Sequence, residues 1–118
     1  MTLPEATPGA VEIIDLGTGQ VQVRGPLTFA TAKRARAAGR RLIELSGDAL
    51  EMDCSGVTES DSAGLAVLLD WLALAKRHGR GIRFKALPAP IRAVAQLSNV
   101  DAFLNQGITP KAATALSD

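Results

Sequence analysis

The chain lacks the raw material for several kinds of chemistry. Its 118 residues include one cysteine and one histidine. A lone cysteine forms no internal disulfide, and Cys54 lies in an apolar run where a small thiol packs well, which points to a reducing compartment, the cytoplasm. One Cys and one His cannot make a four-ligand zinc site without carboxylates from elsewhere, and no paired spacing suggests one, so neither a metal nor another cofactor is expected. Charge of one sign is also missing: 13 basic against 12 acidic residues leave a net charge of +1. No overall field attracts nucleic acid or anionic lipid, and nucleic-acid binding is set aside as a primary role. The longest apolar stretch, residues 65–75, is broken by Asp70 and falls far short of the ~20 residues that span a bilayer. The N-terminal residues Met1-Thr2-Leu3-Pro4-Glu5 have neither a basic start nor an apolar core, so no secretion signal is read there.

What is present suits one compact domain. Nearly half of the residues are hydrophobic, enough for a single core at this length. Residues 1–10 read as a loose lead-in, 11–104 as the domain and 105–118 as a flexible tail with little apolar periodicity. Two short strands are expected at 11–16 and 20–24 around Gly17-Thr18-Gly19. That triplet lacks the helix and lysine of a phosphate loop and reads as a hairpin turn.

Residues 29–45 follow as an amphipathic helix, with Thr31, Ala35, Ala38, Leu42 and Leu45 on one side and the basic row Lys33, Arg36 and Arg40 on the other, read as solvated charge. A central strand is expected at 49–54, ending at Ser55-Gly56 before a loop over 57–60. A long helix at 62–78 then stops at Gly79-Arg80-Gly81. A strand at 82–86, a helix at 91–97 introduced by Pro88-Ala89-Pro90, and a short turn at 101–104 complete the pattern. This alternating order implies an α/β fold: a small mixed sheet of about four strands with helices packed mainly on one face.

The long helix carries two apolar rows. Leu65, Leu68, Leu69 and Leu72 form one, as a core-facing helix should. Val67, Trp71 and Leu74 lie almost opposite, with Ala63 and His78, so one sheet contact cannot bury both. Either another helix of the domain or a protein partner covers the second row. Trp is enriched among interface anchors, and the partner reading makes Trp71 the exposed hot spot.

At the start of this helix stands Ser62, a hydroxyl placed where unpaired backbone N–H groups create a positive field. It is suited to capping, to accepting a phosphate or to docking. Asp53 and Asp61 resemble an acid/base pair only superficially, since carboxylates at a strand end and a helix start ordinarily satisfy loop amides and the dipole. His78 has no nucleophile placed near it and sits at a helix end that welcomes positive charge. No catalytic residue is therefore assigned.

The stretch DCSGVTESDSAGLAVLLDWLALAKRHG, with RGPLTFAT before it, resembles the STAS domain family over residues 11–104. Asp61-Ser62-Ala63-Gly64-Leu65 is similar to the signature that opens that family's second helix, and the run through Trp71 is most like the MlaB-like branch. The resemblance implies an interaction module rather than an enzyme, one that binds the ATPase subunit of a phospholipid-transporting ABC complex. The alternative it implies is an anti-sigma factor antagonist, switched by phosphorylation of Ser62 by an anti-sigma factor kinase. Asp61, Ser62, Ala63, Val67, Trp71 and Leu74 are the partner-binding residues expected on this reading. A small-ligand or nucleotide binder using the loop before Ser62 is the remaining alternative.

Overall fold

The computed structural model describes residues 9–109. Two strands, β1 (Glu12–Gly17) and β2 (Gln20–Leu27), pair antiparallel across the turn at Gly17, Thr18 and Gly19, all three with positive φ. Gly19 must be glycine here, because a Cβ would lie 2.2 Å from the carbonyl oxygen of Ala49. Helix α1 (Ala32–Leu45), strand β3 (Leu50–Ser60), helix α2 (Ser62–Arg77) and strand β4 (Ile82–Lys85) follow, and α3 (Ala89–Leu97) and α4 (Asp101–Gln106) close the described chain. The sheet order is β1-β2-β3-β4, with β2, β3 and β4 parallel. Parallel neighbours need crossovers, and α1 and α2 supply them.

Period-two alternation decides which sheet face takes the helices. Val21, Val23, Leu50, Met52, Cys54 and Ile82 are buried on one face, whereas Gln22, Arg24, Glu51, Asp53, Arg83 and Lys85 occupy the alternate positions. Burial pushes the Cys54 thiol up to about 12, with the nearby Asp53 charge adding to the shift. Cys54 is thus a packing residue. In the folded protein it is expected to resist a thiol-specific reagent at neutral pH and to react stoichiometrically once the chain is denatured; rapid native-state labelling would contradict this placement.

Several sequence expectations change. The central strand continues through residues 57–60 instead of ending at Gly56, because β2 goes on pairing with it, Gly25 with Val57 and Leu27 with Ser60, across irregularities in register. Helix α1 begins at Ala32 rather than at residue 29, and its buried positions are Ala35, Gly39 and Ile43; Leu45 is exposed. The short turn at 101–104 is the helix α4. Beyond the expected boundary at residue 104, Ile108 and Ile82 exchange backbone hydrogen bonds of 2.8 and 3.0 Å. The remainder of the expected tail, 110–118, and most of the lead-in, 1–8, lie outside the described residues.

The largest correction concerns the second apolar row of α2. Trp71 is 0 % exposed, and Val67 and Leu74 are each 3 % exposed. Helix α2 is the middle helix of its layer, with α1 on one side and α3 and α4 on the other. It therefore needs a wide apolar arc, and α1 covers the row that was expected to meet a partner. Gly39 makes the fit possible: a Cβ there would lie 2.1 Å from Cε2 of the Trp71 indole. The indole Nε1 donates to the Arg36 carbonyl at 3.2 Å, so its polar edge is satisfied inside the domain. Of α2, only the strip Ser62, Ala66, Ala73, Lys76 and Arg77 is exposed to solvent.

Candidate functional site

The corner where β3 meets α2 is built by one carboxylate. Asp61 is extended (φ −146°, ψ −169°) and caps α2: its Oδ1 accepts from the Ala63 and Gly64 amides at 2.9 and 3.2 Å. Its Oδ2 accepts from the Phe29 amide at 3.1 Å. The same side chain thereby fastens the β2–α1 loop to the start of α2. Thr31 stiffens that loop from within, its hydroxyl donating to the Pro26 carbonyl at 2.8 Å and accepting from the Thr28 amide at 3.0 Å. Gly64 completes the junction, since a Cβ there would lie 2.4 Å from the Leu27 carbonyl oxygen. The helix end can approach β2 this closely only without a side chain.

These amides hold the Asp61 carboxyl below its ordinary range, Phe29 foremost and Gly64 and Ala63 after it, against an opposing effect of partial burial. A depressed folded-state pKa gives stability that is complete above the ordinary carboxylate pKa of about 3.9 and is lost as pH falls through the lower folded value. Asp61→Ala is expected to destabilise the domain by ~1 kcal/mol at neutral pH, and the deficit should shrink at acid pH. Chemical denaturation across pH checks this, and a deficit independent of pH would contradict it.

With Asp61 as the cap, Ser62 is the first helical residue and its side chain is exposed. Capping, one of the roles considered for this hydroxyl, belongs to its neighbour. Ala63 is half-buried beneath the cap. Asp61, Ser62 and Ala63 therefore form one corner, whereas Val67, Trp71 and Leu74 lie inside the domain and present no surface. Asp53 is remote from this corner: eight residues of strand separate it from Asp61, about 26 Å at ~3.3 Å per residue. Its carboxylate accepts from the Ser55 amide at 2.9 Å, and that hydrogen bond is the main cause of its lowered pKa. The two carboxylates do not form a pair. His78 is the exposed C-cap of α2.

Two features were missed in the sequence. Phe29, expected as the first residue of a helix, lies outside α1 with 85 % of its surface exposed, beside the Asp61 cap. The signal was available: Phe29 is off the row that Ala35, Gly39 and Ile43 define. The basic row of α1 is also partly engaged. Arg36 Nε and Arg40 Nη1 each lie 3.1 Å from Asp70 Oδ2, an arrangement partly open to water that contributes at most about 1 kcal/mol per pair.

Comparison with known proteins identifies the class first. The fold is that of SpoIIAA, an anti-sigma factor antagonist. Its unphosphorylated form superposes with a TM-score of 0.58 at 16 % identity, covering 74 % of this chain and 82 % of that one. The phosphorylated form of the Bacillus protein gives a TM-score of 0.62 at 15 % identity, covering 92 % and 99 %. A sulfate transporter family protein from Wolinella succinogenes gives 0.59 at 16 % identity, covering 80 % and 77 %. No curated protein matches the sequence. The family model described as "Mlab, STAS domain" matches residues 13–107, and the chain belongs to that family. No helix among the described residues is long and apolar enough to cross a membrane.

Proposed function

We propose that the chain is a non-enzymatic docking subunit that binds, and thereby stabilises or regulates, the cytoplasmic ATPase of an ABC complex that moves phospholipid to maintain outer-membrane lipid asymmetry. It would act in the cytoplasm and reach the inner membrane only through that complex. The observation that carries this reading is the match to the Mlab-type STAS family over nearly the whole described domain. The Ser62 corner supports it physically: a hydroxyl lies open at a helix start whose geometry is fixed by Asp61, Gly64 and Thr31, so a partner meets a preorganised surface. Pull-down from a native extract tests the proposal. Recovery of an ABC ATPase that co-elutes stoichiometrically with the chain is the expected result, and repeated recovery without one would overturn it.

The exposed Ser62 hydroxyl favours a second reading, an anti-sigma factor antagonist that works by partner switching. A phosphate there would add about −2 charge next to Asp61. The helix N-terminus would return only ~0.3–1 kcal/mol, far less than the several kcal/mol needed to bury that charge unpaired. Modification would therefore weaken docking. Incubation with an anti-sigma factor kinase and ATP, followed by mass spectrometry, separates the two readings: phosphate on Ser62 supports the switch, and an unmodified Ser62 counts against it.

A further inference from the structure

The Ser62 corner carries an uneven surface that specifies what docks on it. Phe29 is the most exposed aromatic side chain of the described residues, at 85 %, and its backbone is not free to swing away: its amide is held by Asp61, and Thr31 fixes the loop on either side. On a backbone that is already fixed, burying a solvated phenyl ring orders only its own two side-chain torsions, a small cost for an interface anchor.

Charge near the ring is equally uneven. Helix α1 has five basic residues and one acidic one, although the whole chain is nearly neutral. Asp70 answers Arg36 and Arg40. Lys33 stands on the same ridge of α1 one turn nearer to Phe29, and one turn before Asp70 on α2 the exposed residue is Ala66, which offers no charge. Among the described residues Lys33 has no ion-pair partner.

We infer that Phe29 is the apolar anchor of the docking surface and that its occupant is a protein face with an apolar pocket bordered by carboxylates, one of which pairs with Lys33. An anionic membrane fits less well, because the chain has almost no net charge to hold it against lipid. The inference rests on the docking role proposed above and names the chemistry of the partner at that same corner.

The test is a calorimetric titration of the full chain with the purified ABC ATPase subunit, and separately with the anti-sigma factor kinase, at low and high salt. Phe29→Ala removes a side chain that is mostly exposed and keeps the backbone amide, so its melting temperature should stay close to that of the unaltered chain. Its affinity should fall by roughly thirtyfold or more, as expected for an anchor. Lys33→Glu should weaken binding at low salt and flatten the dependence of the affinity on salt. Phe29→Ala and Lys33→Glu binding as the unaltered chain does, while Ser62→Asp fails to bind, would overturn the inference and leave the docking role standing. No binding of the unaltered chain to either protein would overturn both. Binding to phosphatidylglycerol vesicles that is lost in both variants would overturn the protein occupant in favour of lipid.

Discussion

Trp71→Ala is expected to destabilise the domain by about 3–5 kcal/mol, the range for removing a large aromatic side chain from a packed core. The loss combines three causes. The indole is wholly buried between α2 and α1. Its removal leaves a void that Gly39, with no side chain, cannot fill. It also deprives the Arg36 carbonyl of the donor at 3.2 Å. Domains of this size have about 5–15 kcal/mol of total stability, so the variant should be marginal. Each kcal/mol corresponds to about 4–8 °C in melting temperature, and a fall well above 10 °C is expected in a thermal melt. A near-normal melt with weakened partner binding would instead place Trp71 at an interface.

Gly39→Ala should be the reverse of the usual helix substitution. Alanine in place of a helical glycine ordinarily stabilises by about 1 kcal/mol. Here the new methyl group would sit 2.1 to 2.4 Å from three atoms of the Trp71 ring. That ring is wholly buried in the core, so overpacking should cost about 1–3 kcal/mol. The sign should depend on the indole: in a Trp71→Ala background the obstacle is gone, and Gly39→Ala should become neutral or stabilising. Denaturant melts of the four proteins form a double-mutant cycle. Additive effects would show that Gly39 and Trp71 do not share this contact.

How far the sequence revealed the fold depends on whether local rules or tertiary neighbours decide each element. The hairpin was legible because Gly17-Thr18-Gly19 supplies the positive φ values that the turn requires. The start of α2 was legible too, because the apolar helical run opens at residue 62, although the cap considered at Ser62 is supplied by Asp61. The end of β3 was not. Gly56 looked like a stop, yet it pairs with Arg24, and the Arg24 side chain lies over the space a Cβ would occupy.

The two apolar rows of α2 could be counted from periodicity, but periodicity does not say which neighbour covers each row. Trp71 was weighed as a partner anchor on the general enrichment of Trp at interfaces, and its actual neighbour was announced only by a glycine in the interior of α1. The reading of that helix followed Ala38, Leu42 and Leu45 and passed over Gly39 and Ile43. Phe29 was missed because the helix was started too early. Ser62 and Asp61 were found together in the sequence, and the structure divides their work: Asp61 builds the corner and Ser62 is displayed on it.

Hydrogen exchange of the full chain, free and in complex with the ATPase subunit, tests most directly whether docking occurs at the Ser62 corner. Slowed exchange in the loop at 27–34 and across the β3–α2 junction at 58–66, with the open sheet face at 20–24 and 51–55 unchanged, is the expected result. Protection confined to that sheet face, with the loop and junction exchanging as in the free chain, would contradict it.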